Sequence, residues 1–155
     1  MDLPVKMNLS APNMVNVCVD RRSGEACTGR LYCRYMEEKI PFENEYHLLK
    51  IMEEFMDRIG YPQSSVEMRS YKKKSRIFGE VPGIMARGEE IFQERGDLGT
   101  FIIHVKYRQN ATWQGEIYWM EKKKEEKFKS VLELLILIDN ILFMKDKEKS
   151  SREKW

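Results

Sequence analysis

Two histidines, three cysteines, a tryptophan-bearing stretch and a basic run are the side chains of this sequence whose chemistry could reach beyond packing. None of them falls into a catalytic pattern. Cys18, Cys27 and Cys33 lack the two-residue gap of paired zinc thiolates, and there is no H-E-x-x-H, G-x-S-x-G, phosphate loop or glycine fingerprint. His47 and His104 are far apart in sequence and belong to no such motif. No cofactor, metal or enzyme chemistry is implied, and the cysteines read as small packed thiols. The stretch Thr112-Trp113-Gln114-Gly115, with Arg108 before it and Trp119 after it, admits two readings. Either both indoles pack under a helix, or Trp113, Gln114, Gly115 and Arg108 form a ligand slot in which the indole stacks and the polar groups orient. The third feature is Arg69, Lys72, Lys73, Lys74 and Arg76, five cations within eight residues that contain no anion. They would supply the phosphate contacts of a nucleic-acid site, although such a run is more often a solvated loop.

The frame that must hold these residues is one domain of 155 residues, 42% hydrophobic and 34% charged. The formal charge is +2, from 27 basic against 25 acidic residues, so affinity for a polyanion would need a local patch. Residues 1–11 carry no apolar core of a secretory signal, and the longest apolar run, Leu134 to Ile138, is far short of the roughly 20 residues of a membrane span. A cytoplasmic protein without a membrane segment is expected.

An internal repeat organises the chain. Residues 15–59 align without a gap on 101–145 at an offset of 86, with seven identities: Val19/Val105, Arg22/Arg108, Gly29/Gly115, Tyr32/Tyr118, Phe42/Phe128, Leu48/Leu134 and Leu49/Leu135. Each block reads as strand, turn, strand, helix. Phe101, Ile103, Val105 and Tyr107 alternate with Ile102, His104, Lys106 and Arg108, and pairing Phe101 with Trp119, Ile103 with Ile117, Val105 with Gly115 and Tyr107 with Trp113 puts the bulky residues on one face. The same register in the first block pairs Val15 with Cys33, Val17 with Leu31 and Val19 with Gly29. The glycine opposite each valine would admit a large neighbour such as a helix side chain or the Trp113 ring. Charged connectors then lead into two amphipathic helices, the first stopped by Gly60 and Pro62, the second started by Ser130 with Glu133 three residues on. The expected fold is α+β: two tandem ββα repeats, 15–59 and 101–144, forming an antiparallel sheet with helices packed on one face, separated by an irregular segment 63–100 and followed by a charged tail, 145–155.

Two surfaces follow. Leu132, Ile136 and Phe143 lie on a second apolar flank of the second helix where the first has Tyr46, Lys50 and Asp57. Something should cover that flank, either residues 63–100, a second copy in a homodimer, or a protein partner. The sheet face away from the helices carries Arg30, Tyr32, Arg34, His104, Lys106 and Tyr118, basic and aromatic residues interleaved as on sheets that stack bases. A noncatalytic adaptor or regulatory interaction module is the first functional expectation, and a nucleic-acid-binding protein using Tyr32, Tyr118 and the basic run is the second.

The motifs TWQG at 112–115, Trp119 and Phe128-x-Ser130-x-Leu132-Glu133-Leu134-Leu135 followed by Leu137-Ile138-Asp139 resemble a signature of small bacterial proteins for which no activity is established. Gly29-Arg30-Leu31-Tyr32, Pro41-Phe42 and Tyr61-Pro62-Gln63 are similar to the first half of the same group. The resemblance covers about two-thirds of the chain. It implies the two-block organisation and a bacterial cytoplasmic setting, and carries no activity with it.

Overall fold

The computed structural model describes residues 7, 10–24, 26–62, 88–108 and 112–153, with side chains through 144. The chain folds as α+β: six strands in one antiparallel sheet, and two helices. In chain order these are β1 (Val15–Ser23), β2 (Ala26–Cys33), β3 (Ile40–Phe42), α1 (Glu45–Ile59), a 3-10 turn (Glu89–Gln93), β4 (Gly99–Tyr107), β5 (Gln114–Trp119), β6 (Lys124–Phe128) and α2 (Val131–Glu153). The spatial order is β3-β2-β1-β4-β5-β6, so the two blocks meet at a central β1–β4 seam.

Each block has three strands rather than the expected two. Residues Ile40–Phe42 and Lys124–Phe128, anticipated as connectors, add an outer strand to each hairpin, with Phe42 opposite Gly29 and Phe128 opposite Gly115. Both are edge strands, and both carry features that deter further pairing: Pro41 in β3 and a run of charges in β6.

The hairpin registers agree with the alternation. Val15 faces Cys33, Val17 faces Leu31 and Val19 faces Gly29, while Phe101 faces Trp119, Ile103 faces Ile117 and Val105 faces Gly115. One pair differs. A register shift between Val105 and Tyr107 places Tyr107 opposite Gln114 rather than Trp113, and the first hairpin shifts at the corresponding place, between Val19 and Arg21. The repeated glycines have a different cause from the one expected. A Cβ on Gly29 or Gly115 would collide with the carbonyl oxygen of Cys18 or His104 on the neighbouring strand, so these positions admit close backbone approach, and Gly29 also the edge of the Phe42 ring, rather than a helix side chain or Trp113.

The helices cap and end as their sequences dictate. Asn44 Oδ1 accepts from His47 N, Ser130 Oγ accepts from Glu133 N, and Gly60 closes α1 in the left-handed conformation, its N–H donating to Met56 O. Leu48, Met52, Phe55 and Met56 of α1 and Leu134, Ile138 and Leu142 of α2 share one core with Val17, Leu31, Phe101 and Ile117. Both indoles, Trp113 and Trp119, belong to that core. The helix continues through Glu153, taking in most of the charged tail.

The opposite sheet face is not open. Ile91 and Phe92 of the 3-10 turn, with Met7 and Met14, cover Cys18, Tyr32, Ile102, Tyr118 and Met120 in a second core. Asn16 fastens this cover, its Nδ2 donating to Ile91 O at 2.7 Å and to Glu94 O at 3.1 Å.

Candidate docking surface

The second helix exposes what a helix normally hides. Leu132, Ile136, Phe143 and Met144 are 67%, 50%, 53% and 54% exposed. The first three recur at four- and seven-residue spacing, which places them on one flank beside Asp139. The equivalent positions of α1 are Tyr46, itself an exposed aromatic, and the charged Lys50 and Asp57, so α1 presents one large ring where α2 presents three apolar side chains. Exposed apolar side chains clustered on one flank mark a surface meant to be covered.

Beneath this flank the two blocks brace each other. Arg22 at the end of β1 donates from Nη2 to Asp139 Oδ1 of α2 at 2.8 Å. Arg108, just past β4, donates from Nη1 to Asp57 Oδ1 of α1 at 2.6 Å and lies 3.3 Å from Glu53 Oε1. Arg22 and Arg108 are equivalent at the offset of 86, as are Glu53 and Asp139, so each block's arginine grips the other block's helix. Arg108 is the more deeply held: its side chain is 4% exposed, and Nε donates to Pro62 O at 2.7 Å. Trp113 completes this side, its Nε1 donating to Glu53 Oε2 at 2.8 Å.

The ligand slot anticipated around Trp113, Gln114, Gly115 and Arg108 is therefore filled. The indole is buried on Glu53, the guanidinium is spent on Asp57, Glu53 and Pro62, and the space above Gly115 belongs to the His104 carbonyl. A groove of about 340 Å3 lies on the other block's side, lined by Arg22, Glu45, Leu135, Ile136, Ile138 and Asp139. Ile136 belongs both to this groove and to the exposed flank, so the two are continuous. The helix layer around them is acidic. Over residues 45–59 and 131–144, six carboxylates (Glu45, Glu53, Glu54, Asp57, Glu133, Asp139) stand against two cations (Lys50, Arg58), a net of −4 in a chain of net +2.

The tyrosine face is a correction to the base-stacking expectation. Tyr32 and Tyr118 are 7% and 6% exposed under the 3-10 turn, and Arg34 lies over the Phe92 ring, so these rings are not presented for stacking. Arg69, Lys72, Lys73, Lys74 and Arg76 lie outside the described residues, as does most of the segment 63–100.

The remaining reactive groups are subdued by burial. Desolvation pushes the Cys18 thiol up to about 11 and the Cys27 thiol up to about 12, the latter helped by the Glu45 carboxylate whose Oε1 accepts from Cys27 N. All three cysteines are buried, and none is in a disulfide among the described residues. Desolvation, and then the charge of Lys106, holds His104 below the ordinary imidazole range, and neither of its ring nitrogens has a hydrogen-bond partner among the described residues. Among the described residues no three His, Cys, Asp or Glu side chains converge as a metal site, and no helix is long and apolar enough to cross a membrane.

Sequence reasoning located the exposed flank but missed the crossed arginines. Their signal lay in the alignment: of the basic residues in the two blocks only Arg22 and Arg108 are identical at the offset, and an acid recurs at 53 and 139. Comparisons with protein-family models, with curated proteins and with solved structures give no match.

Proposed function

We propose that the chain is a noncatalytic adaptor or regulatory interaction module whose partner docks along α2. The observation that carries this reading is the exposure of Leu132, Ile136 and Phe143 on a helix whose counterpart carries Tyr46, Lys50 and Asp57 at the same three positions, one exposed aromatic and two charges. Burying such side chains yields roughly 1.5 to 3 kcal/mol each, enough for a short helix face to anchor a complex. The blocks are best understood as two tandem repeats, each extended by an edge strand. Matched registers, matched shifts and crossed arginine pairs at one offset support that origin. In this view the second copy acquired the docking flank while the first kept a polar helix.

The test is the double substitution Ile136→Glu with Phe143→Lys. Both side chains are half in solvent, so the variant is expected to keep its circular dichroism and unfolding midpoint while eluting from gently lysed cells as the free chain. Retention of the wild-type elution position, or collapse of the fold, would overturn the reading.

A further inference from the structure

The crossed arginine pairs occur twice, but their surroundings differ. Around Arg108 and Glu53 the space is occupied by Trp113, whose indole N–H donates to the acid. At the offset of 86 the residue standing for Trp113 is Cys27, a far smaller side chain, and the corresponding acid is Asp139. The groove lies close by: its lining includes Arg22 and Asp139, and also Glu45, whose Oε1 accepts from the Cys27 N–H. The equivalent arginine–acid pairs thus stand beside the chain's own indole in one block and beside a groove in the other. At about 340 Å3 the groove is at the small end of the roughly 300 to 1,000 Å3 of ligand pockets, the scale of one large side chain.

Resting on the reading of α2 as a docking face, we propose that this groove receives a tryptophan side chain carried by a basic segment of a partner protein, its indole N–H donating to Asp139 as Trp113 donates to Glu53. Three features select that occupant. The walls Leu135, Ile136 and Ile138 are apolar, and an N–H acceptor stands at the rim, which an indole satisfies and a phenyl ring does not. The apolar flank runs on from Ile136 to Leu132 and Phe143, more surface than a free indole could cover, so the ring belongs to a longer segment. The groove's two carboxylates exceed its one guanidinium, within a helix layer that keeps a net of −2 once Arg22 and Arg108 are counted against its carboxylates, so that segment is basic.

The experiment is a methyl NMR titration of the full-length protein with three probes: N-acetyl-tryptophanamide, a short lysine-rich helical peptide bearing one tryptophan flanked by leucines, and the same peptide with phenylalanine for tryptophan. The expected result is saturable shifts of the Leu135, Ile136 and Ile138 methyls by the tryptophan peptide, with affinity about tenfold above that of the phenylalanine peptide for the lost charge-assisted hydrogen bond. N-acetyl-tryptophanamide should bind at the same methyls at least about tenfold more weakly than the tryptophan peptide. Cys27→Trp, which gives this block the indole of the other, should abolish the shifts. Asp139→Ala, at an exposed carboxylate and so safe for folding, should erase the preference for tryptophan. Equal affinity of the two peptides would overturn the indole assignment, and N-acetyl-tryptophanamide binding as tightly as the peptide would replace the protein partner by a small indole. A dimer that buries the groove against a second copy would overturn this occupant while leaving the docking role of α2 intact, whereas loss of that role is read separately from the Ile136→Glu, Phe143→Lys variant.

Discussion

Replacing Arg108 with methionine tests whether the crossed arginines join the two blocks. Methionine keeps most of the aliphatic stem and removes the guanidinium, so the loss is polar rather than a cavity. The bond from Nε to Pro62 O at 2.7 Å is buried and charge-assisted, worth about 1.5 to 3 kcal/mol. The pairs with Asp57 and Glu53 are discounted because those carboxylates are 58% and 46% exposed and recover water when the arginine leaves, so each contributes about 0.5 kcal/mol. The sum is about 3 kcal/mol, which for a chain of this size lowers Tm by about 6 to 12 °C. Asp57→Ala, which removes only one exposed partner, should cost about 0.5 kcal/mol, and Arg108→Lys should resemble the methionine variant because an ammonium cannot bridge a carbonyl and two carboxylates as the guanidinium fork does. The assay is urea unfolding monitored by tryptophan fluorescence, with Trp113 beside the altered site. A cost below about 1 kcal/mol for Arg108→Met, or one equal to that of Asp57→Ala, would refute the bracing argument.

Further outcomes follow from burial and backbone approach. Gly115→Ala and Gly29→Ala should each destabilise by about 3 kcal/mol or more in the same urea assay, because the added Cβ meets a carbonyl oxygen that cannot move without parting the strands. Stability should fall as pH drops below 6.5, the ordinary His value. Burial holds folded His104 below that value, so the unfolded chain binds the proton first and the stability present above pH 6.5 is lost on acidification; unfolding midpoints across pH 7.5 to 5.5 should show this slope, and His104→Phe should flatten it. Cys18 and Cys27, with thiols raised to about 11 and about 12, should resist a thiol-reactive dye at pH 8 in the folded protein and react at once in urea, as absorbance will report.

Much of the hairpin geometry was legible because a one-residue slip would have turned Val17, Leu31, Phe101 and Ile103 away from the helices, so alternation alone chose the register. The third strands were not. Ile40–Phe42 is only three residues long and contains a proline, while Lys124–Phe128 is almost wholly charged, so neither has the pattern of a strand with a buried face. The second core was hidden for a different reason. In β1 and β4 the strands are central and covered on both sides, so the face away from the helices, read as a base-stacking surface, lies under Ile91 and Phe92, with Asn16, Cys18 and Ile102 buried on it. That misreading is what made Tyr32 and Tyr118 look available to nucleic acid. The exposed flank of α2 was legible from helical angle arithmetic, since Leu132, Ile136 and Phe143 point away from the stripe of Leu134, Ile138 and Leu142 that enters the core. The groove was not, because it depends on a difference between Cys27 and Trp113 that acquires meaning only once both blocks are seen to share one geometry.

The most direct test of the account is native mass spectrometry of the untagged chain isolated gently from its own cells, compared with the Ile136→Glu, Phe143→Lys variant prepared identically. The account predicts that the wild-type chain carries the mass of a bound protein partner, and that the variant, folded as judged by its charge-state distribution, carries none. A partner mass that persists unchanged in the variant, or a wild-type chain that carries no bound protein, would contradict it.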